Sequence, residues 1–334
     1  MAIDILGIKP HEVSRNLSGY TTLFYGQPKT GKTTIASQFP KALLLAFEIG
    51  YAALPGVMAQ PVNRWSEFKQ ILKQLKSDEA HAMYDTIIVD TADLAYDLCE
   101  KYICNLNEVS KIGDVPYGGG YGQAKKEFDE ALRSIPQMNY GLVMISHAQD
   151  KTFTDEDGKE YNKIVPTLVN QPRLVVDRMV DILGYARPIE DEDGNIKTYL
   201  FLRGTPRFEA GSRFKYTPEF IEFTYDNLVN ALNDAIDKQA AELNGQYVTT
   251  EREAAHNVPE SLDFDNLMAQ FNTMVTKLQA ATGADFGKKW APIITEIVNK
   301  YLGKGKTVSG CSREQVEQLS LIVSDLQEKI GEGI

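Results

Sequence analysis

The sequence predicts an α/β fold with a mainly parallel β-sheet, followed by a small α-helical C-terminal domain. A glycine-rich loop lies between a β-branched, aromatic segment typical of a buried strand and a helical segment. Further apolar runs each end in an acidic or polar residue, as strands do at the binding edge of an α/β sheet. Near the C-terminus, apolar residues recur at helical spacing instead.

Length and composition allow one large unit and one small unit. The chain has 334 residues, of which 43% are hydrophobic and 24% charged. We predict a core over residues 1–240, a polar linker over 241–260 and a helical domain over 261–334. No apolar run approaches the roughly 20 residues that cross a bilayer, and the N-terminus lacks a secretory pattern. Three cysteines are too few for a disulfide framework, so we expect a cytoplasmic protein with no membrane partner.

The loop GQPKTGKTT, residues 26–34, has the Gly-x4-Gly-Lys-Thr spacing of a phosphate-binding P-loop. A strand-like segment precedes it, and a helical segment follows and stops at Pro40, which is the required order. Backbone N–H groups of such a loop surround the phosphates of ATP. Lys32 would neutralise phosphate charge, and Thr33 would bind Mg²⁺. The predicted nucleotide-binding residues are Gly26, Gln27, Pro28, Lys29, Thr30, Gly31, Lys32, Thr33 and Thr34.

A second element of an ATPase site is an acidic residue at the end of another strand. Asp90 directly follows the apolar run Thr86–Val89, and it would hold Mg²⁺ through water. Asp90 as the N-cap of a helix is the alternative interpretation. Asp93 is the neighbouring candidate, although it fits the first turn of that helix better.

Two more strand ends carry polar side chains. Glu48 follows the buried run Ala42–Phe47 and would polarise the water that attacks the γ-phosphate. A solvated loop glutamate is the alternative. Ser146 and His147 end the run that begins at Tyr140, and they would sense the γ-phosphate by hydrogen bonding. A structural histidine is the alternative for His147.

These segments together resemble a known family. The stretches FYGQPKTGKTTIASQFPKALLLAFEIG, IIVDTADLAYD, GLVMISHAQD and RGTPRFEAGSRF are similar to phage-associated RecA-like P-loop ATPases, which include the Sak-type single-strand annealing recombinases. The resemblance covers about residues 18–235. It implies a RecA-like core, a homo-oligomer with ATP at subunit interfaces, and binding of single-stranded DNA. It assigns Lys32 and Thr33 to the P-loop pair, Asp90 to Mg²⁺, Glu48 to catalysis, and Ser146 and His147 to the sensor strand.

The resemblance also implies a basic residue that reaches a neighbouring subunit's γ-phosphate and stabilises transition-state charge. The stretch RFEAGSRFKY makes Arg213 the catalytic candidate. Gly211 stands where the family often has a lysine, so a paired finger is not expected. Arg207 and Arg203 are second choices, and an ordinary exposed arginine is the alternative for each.

Two long segments are candidates for contact with DNA. In residues 107–128, Tyr117 and Tyr121 of the YGGGYG run would stack on bases, and Lys125 and Lys126 would contact phosphates. The competing interpretation is that this glycine run folds over the nucleotide. In residues 148–175, the acidic turn TDEDGK would repel phosphates. Contact with DNA is therefore expected later in that segment, at Lys163 or Arg173.

The C-terminal residues predict a three-helix bundle with its own core. Two apolar stripes at helical spacing lie on either side of a lysine-rich segment, and Ser312 with Gln315 forms a capping box. The lysines are Lys288, Lys289, Lys300, Lys304 and Lys306. They predict contact with a nucleic-acid backbone or with an acidic tail of a single-strand-binding or other replication protein; a solvated basic face is the alternative.

The sequence therefore predicts a Mg²⁺-dependent ATPase that binds single-stranded DNA, is stimulated by it, and promotes annealing or strand exchange. A nucleotide-switched oligomer that binds a protein partner without DNA is the alternative, and the net charge of −11 favours it. A small-molecule kinase is a third class. It fits less well, because the basic hairpin lies far downstream of where an arginine-rich lid is expected.

Overall fold

The computed structural model describes residues 8–168, 171–190, 193–252 and 262–331. They form two compact units, one over Pro10–Val258 and a second that contains the C-terminal helices. Within these ranges, no helix is both long and apolar enough to cross a membrane.

The larger unit is built on β-strands whose bounds follow in chain order. They are β1 (Val13–Ser14), β2 (Thr21–Gly26), β3 (Ala42–Ala46), β4 (Met58–Pro61), β5 (Thr86–Asp90), β6 (Gly141–Thr154), β7 (Glu160–Pro166), β8 (Ile182–Glu190), β9 (Ile196–Phe201), β10 (Gly211–Ser212), β11 (Phe220–Glu222) and β12 (Val248–Thr249). In the described residues, ten of them form one sheet, in which the order β11-β9-β8-β2-β6-β5-β3-β4 is joined by β10 beside β8 and β7 beside β6.

The centre of this sheet is parallel, which confirms the predicted fold class. The strands from β8 through β2, β6, β5 and β3 to β4 all pair in parallel, whereas β9, β10, β11 and β7 pair antiparallel. Parallel neighbours need crossover connections, and helices supply most of them. The carboxyl ends of β2, β3, β5 and β6 therefore meet at one edge of the sheet, where the predicted site residues lie.

Helices cover both faces of the sheet. They are α1 (Lys32–Ala36), α2 (Trp65–Gln74), α3 (Asp78–Met83), α4 (Ala92–Leu106), α5 (Gly119–Gln137), α6 (Gln171–Met179) and α7 (Tyr225–Ala241). Because strand side chains alternate between faces, Leu23 and Val89 pack with α2, α4 and α5, while Phe24 and Ile88 pack with α1 and α7. The two apolar layers explain why the central strands read as continuous hydrophobic runs.

Strand β6 extends beyond the carboxyl edge of the sheet. Its first seven residues pair with β2 and β5, and Ala148–Thr154 pairs only with β7. The two strands form a hairpin that leaves the sheet directly after His147. The sequence interpretation of 148–175 as a long loop is therefore wrong, because Ala148–Thr154 and Glu160–Pro166 pair as strands on either side of the Asp-Gly turn.

The predicted linker also needs correction. Helix α7 continues to Ala241, and β12 pairs in parallel with β1. Arg252 then reaches Asp85 with an Nη1–Oδ1 distance of 2.9 Å. Residues 241–252 thus belong to the larger unit, because strand pairing and an ion pair hold them there. Residues 253–260 of the predicted linker lie outside the described residues.

The second unit contains α8 (Phe264–Thr282), α9 (Phe286–Leu302) and α10 (Val316–Gly331) around its own apolar core. The Ser312–Gln315 capping box forms as expected. The predicted lysine cluster is divided, because Lys288 and Lys289 lie in the first turn of α9 and Lys304 and Lys306 follow its last turn. Helix geometry separates these pairs by about 25 Å. Lys300 pairs with Asp325 at 2.8 Å.

Candidate nucleotide-binding site

The P-loop connects the carboxyl end of β2 to the start of α1, and two glycines give it its shape. A Cβ at Gly26 would lie 2.3 Å from the carbonyl oxygen of Ala186, so only glycine allows β2 and β8 to approach here. Gly31 is the N-cap of α1 with φ +85°, a left-handed conformation that side chains rarely adopt. These two positions leave the loop open above the first turn of the helix, where N–H groups lack intrahelical partners.

Lys32 lies inside the loop and is buried. Its Nζ donates to the carbonyl oxygens of Gly26 at 3.0 Å and Gln27 at 2.7 Å. Burial lowers the pKa of Lys32 to about 8, although the negative charges of Asp90 and Glu48 oppose the shift. Phosphate oxygens would replace these carbonyls as partners and would favour the charged ammonium.

Thr33 and Asp90 form the part of the site that suits Mg²⁺. The Thr33 hydroxyl donates to Oδ2 of Asp90 at 2.7 Å, so the P-loop and the end of β5 are in direct contact. Burial raises the pKa of Asp90, and the hydrogen bond from Thr33 opposes this effect. A hydroxyl and a carboxylate are oxygen ligands that Mg²⁺ accepts beside phosphates and water, so the residues present fit this ion.

Glu48 lies at the same edge of the sheet, directly beyond β3. Its backbone N–H donates to the carbonyl oxygen of Asp90 at 3.0 Å, which fixes its position beside β5. Its side chain is 46% exposed, and Oε2 lies 3.3 Å from Nε2 of His147. The structure thus brings Lys32, Thr33, Asp90, Glu48 and His147 together around the P-loop, although their catalytic and sensor roles stay predictions.

Ser146 points the other way, which corrects its predicted place at the phosphates. Its hydroxyl donates to Oδ1 of Asp93 at 3.2 Å and lies 3.2 Å from the Thr167 hydroxyl. Adjacent strand residues face opposite sides of a sheet, so Ser146 faces α4 while His147 faces the P-loop side. Asp93 accepts hydrogen bonds from Ser146 and Thr167 on that far face, so it does not lie beside Thr33 as Asp90 does.

A cavity of about 520 Å³ lies along α1, and its lining includes Thr34, Gln38, Leu54 and Pro55. Its lining also includes Lys41, Ala42, Met83 and Tyr84, which lie at the amino ends of β3 and β5. The cavity therefore extends away from the P-loop edge, and of the predicted nucleotide-binding residues it is lined by Thr34.

Arg213 does not belong to this edge of the sheet. It follows β10, where Ser212 pairs with Ile182, and four residues of β8 separate that position from Ala186 beside Gly26. That separation is about 13 Å along the strand. Its Nη1 lies 3.0 Å from Oδ1 of Asp181, and its side chain is 61% exposed. Arg213 cannot serve its own P-loop, so any finger role would have to act on a second subunit.

Arg203 and Arg207, the alternatives to Arg213 for the finger role, have different surroundings. Arg203 donates to the carbonyl oxygens of Phe214 at 2.8 Å and Lys215 at 2.7 Å, so it holds the following turn together. Arg207 is exposed, and its carbonyl oxygen accepts a hydrogen bond from the backbone N–H of Ile164 in β7 at 2.8 Å. Arg207 thus lies beside the hairpin, at the carboxyl end of the sheet.

The first predicted DNA segment is more ordered than expected. The glycines from Gly119 onward begin α5, so this run is helical rather than a flexible loop. Tyr117 is fully exposed, but Tyr121 lines a cavity of about 180 Å³ with Asp93, Asp97 and Glu100. Carboxylates beside Tyr121 disfavour an approaching phosphate. Lys125 and Lys126 follow in α5, and Lys126 has its Nζ 3.7 Å from Oε1 of Glu130.

The two candidate DNA-binding residues of the second segment, Lys163 and Arg173, lie in different environments. Arg173 is held by Asp177 at 2.7 Å and by Glu209, and only 16% of its side chain is exposed, so it is structural. Lys163 lies on the hairpin, 3.5 Å from Glu209. Sequence reasoning missed Lys151, Phe153 and Tyr161 on the same face. The pattern K-x-F before the turn and Y-x-K after it was the signal that predicts this face.

Comparison with known proteins shows the family to which the chain belongs. A family model described as an AAA domain matches residues 18–214. The chain is 33% identical over 337 residues to the SPbeta prophage-derived uncharacterized protein YorG of Bacillus subtilis (strain 168), across 99% of this chain and 100% of that protein.

A solved structure is more distantly similar. The flagellar accessory protein FlaH from Methanocaldococcus jannaschii shares 11% identity at a TM-score of 0.31, over 60% of this chain and 84% of that one. This similarity bears on neither fold nor function. The family match spans more than half of the chain, and the prophage relative aligns over nearly all of it, so the chain belongs to the AAA domain family of P-loop ATPases.

Proposed function

We propose that this chain is a phage recombination protein of the bacterial cytoplasm that hydrolyses ATP, binds single-stranded DNA and promotes its annealing or strand exchange. The P-loop edge supports the ATPase half. The prophage origin of the YorG relative and the resemblance to Sak-type recombinases support the recombination half. The observation that carries DNA binding is one face of the β6–β7 hairpin.

We call this surface the hairpin face, and it consists of Lys151, Phe153, Tyr161 and Lys163. Lys151 pairs with Lys163 and Phe153 pairs with Tyr161 across the two strands, so all four side chains lie on the same side. The two rings stack with centroids 5.9 Å apart. The ammonium groups of Lys151 and Lys163 lie 5.6 Å and 6.0 Å from the Phe153 centroid.

This combination suits a single strand better than a duplex. Unpaired bases stack on aromatic rings, and nearby lysines contact the backbone phosphates. Two lysines directly opposite each other in a hairpin are destabilising unless an anion lies between them. Glu209 meets Lys163, but no carboxylate of the described residues lies within ion-pair distance of Lys151. The hairpin face therefore keeps a free positive charge in a chain of net charge −11.

The P-loop edge supports ATP hydrolysis through separate contributions from each residue. Lys32 would bind the phosphates, and Thr33 and Asp90 would hold Mg²⁺, which neutralises charge that develops on the phosphoryl oxygens. Glu48 would orient the attacking water and accept its proton. Among the described residues, Lys32 is the one buried cation of the site, so the proposal includes a homo-oligomer in which Arg213 or Arg207 of a neighbour adds a second.

The test is binding of a fluorescent single-stranded oligonucleotide, measured by anisotropy at low and moderate salt. Replacing Phe153 and Tyr161 together by alanine should weaken binding at least tenfold, because each stacked base contributes about 1–3 kcal/mol. The matched control replaces Thr152 and Asn162, which pair across the same two strands on the opposite face. Equal loss in both double variants, or no loss in either, contradicts the proposal.

A protein partner in place of DNA is the second candidate. The net charge of −11 and the three carboxylates around Tyr121 favour it. A protein of this kind would hydrolyse ATP at a rate that no oligonucleotide changes. If the same anisotropy titration shows negligible affinity for both duplex and single-stranded DNA, the result would favour this candidate.

A further inference from the structure

We infer that the cavity beside Tyr121 is a binding site for one arginine side chain of a second, basic protein. The cavity has a volume of about 180 Å³ and is lined by the first half of α4 and the starts of α5 and α6. Its lining includes no residue of the P-loop edge or of the hairpin face. The inference therefore holds whether or not the chain binds DNA.

Helix α4 presents a row of acidic residues to this cavity. Asp93, Asp97 and Glu100 follow one another at spacings of four and three, so helix geometry places them along one face, and all three line the cavity. Like charges at this spacing destabilise a helix unless a cation lies among them. Burial raises the pKa of Glu100, and the charge of Asp97 adds to the shift. A cation in the cavity would relieve both costs.

The chain supplies no cation of its own to these acids. Among the described residues, no lysine or arginine lies within ion-pair distance of the three carboxylates. Lys126 of α5 pairs instead with Glu130. Arg173 of α6 pairs with Asp177. The residues outside the described ranges contain neither lysine nor arginine. A lysine or arginine that pairs with these acids therefore has to come from another molecule.

Two buried oxygen atoms at the cavity are without a partner. Among the described residues, the hydroxyl of Tyr96 and Oδ2 of Asp93 are buried and form no hydrogen bond. Tyr96 is only 8% exposed. Burial raises its pKa, and Glu100 and Tyr121 add to the shift, so its hydroxyl lies near two residues of the cavity lining. Because an unpaired buried oxygen is unfavourable, a ligand that carries several N–H groups would stabilise this site.

These features suit a guanidinium group. It is planar, always charged and carries five N–H donors, so it can pair with carboxylates and stack on an aromatic ring at the same time. Tyr121 is 45% exposed and supplies a ring on the open side of the cavity. The ring of Tyr96 packs edge-on against buried Phe128, which fixes its position. Among the described residues, no group of acids, histidines and cysteines is arranged to hold a metal ion.

The charge of the chain indicates which molecule carries this arginine. A chain of net charge −11 repels a second copy of itself at long range and attracts a basic protein. A cavity of about 180 Å³ admits a single side chain and not a helix or a strand. The occupant is therefore an arginine on an exposed segment of a basic partner.

The experiment compares two short peptides of glycine and serine with one central residue, which is arginine in the first and uncharged citrulline in the second. Saturation-transfer difference NMR with the full chain detects weak binding of each peptide. The arginine peptide should give a signal at least about fivefold stronger, because hydrogen bonds between charged groups are about twice as strong as those between neutral groups. Equal signals from the two peptides overturn the inference.

A pair of matched variants assigns the signal to the cavity. The double variant Asp97→Asn, Glu100→Gln removes two charges and keeps the side-chain shapes, so it should lower the arginine-peptide signal at least about fivefold. The control Asp226→Asn, Asp234→Asn removes two charges from the exposed surface of α7, on the other side of the sheet, and should leave the signal unchanged. An undiminished signal in the first variant, or an equal loss in the control, contradicts the assignment.

Sedimentation over a range of protein concentrations tests the choice of partner. The Asp97→Asn, Glu100→Gln variant should associate with itself as the wild type does, because the arginine belongs to a different protein. A change in its state of association would assign the site to a second copy of this chain and overturn that choice.

Discussion

Strand β6 connects the P-loop edge, where His147 lies, to the hairpin face, which includes Lys151 and Phe153. The two regions hold positive charge in opposite environments. At the P-loop edge, Lys32 is buried among carbonyl oxygens and close to Asp90, and its charge is disfavoured by burial. On the hairpin face, Lys151 is exposed and lies over an aromatic ring without a carboxylate partner among the described residues. The first arrangement suits one small, highly charged ligand, and the second suits a long flexible polyanion.

The largest expected effect concerns the enclosed site. Lys32→Ala should abolish ATP binding, because the variant loses the buried cation that the loop provides for the phosphates. Fluorescence titration with a labelled ATP analogue measures it. Lys73→Ala, on the exposed surface of α2, is the control and should bind like the wild type. ATP binding by Lys32→Ala at wild-type affinity would make the P-loop assignment wrong.

Glu48→Gln should separate binding from chemistry at the same edge. The amide still fits beside His147 but cannot accept a proton, so ATP should bind normally while turnover falls at least tenfold, about 1.4 kcal/mol. Steady-state turnover and a binding titration on one preparation measure both quantities. Unchanged turnover would move the catalytic role to another residue.

The buried lysine also predicts a pH dependence that an exposed lysine lacks. The pKa of Lys32 is lowered to about 8 in the free protein, and bound phosphates favour its charged form. Binding of ATP should therefore take up a proton near and above pH 8, and affinity should fall as the pH rises through that value. Calorimetry in two buffers of different ionisation enthalpy measures the proton. Lys32→Arg, which stays charged, should show no uptake from this position.

The smallest expected effect concerns the hairpin face. Lys151→Ala should weaken oligonucleotide binding about threefold and lower its salt dependence by about one phosphate contact. It should leave ATP affinity unchanged, because Lys151 is not part of the P-loop edge. Anisotropy titrations at several salt concentrations give the slope. Loss of ATP affinity in this variant would show that the two regions are not distinct in the way we describe.

The P-loop edge was predictable because its residues are close in sequence or follow recognisable strands. Gly26 to Thr34 form one continuous motif, and Asp90 and Glu48 each end an apolar run. Which of Ser146 and His147 faces the phosphates was not predictable, because that depends on which side of the sheet α1 covers. Adjacent residues of a strand face opposite sides of the sheet, so an error of one position selects the wrong side chain.

The hairpin face depended on pairing that the sequence shows only indirectly. The acidic turn at residues 155–159 predicts repulsion of phosphates from this segment. The strand register, however, places Lys151 beside Lys163 and Phe153 beside Tyr161 on one side of the hairpin. Arg213 was assigned from resemblance, but β10 pairs with the first residues of β8 and so places it at the far edge of the sheet. Such long-range pairings are set by the assembled sheet and leave no local pattern.

The most direct test of the account is ATP turnover with and without single-stranded oligonucleotide, at low and moderate salt, with duplex as the control. We predict that the single strand stimulates turnover, that salt weakens the stimulation, and that the Phe153→Ala, Tyr161→Ala double variant loses it while keeping its basal rate. Turnover that is indifferent to any DNA would contradict the coupling between the P-loop edge and the hairpin face.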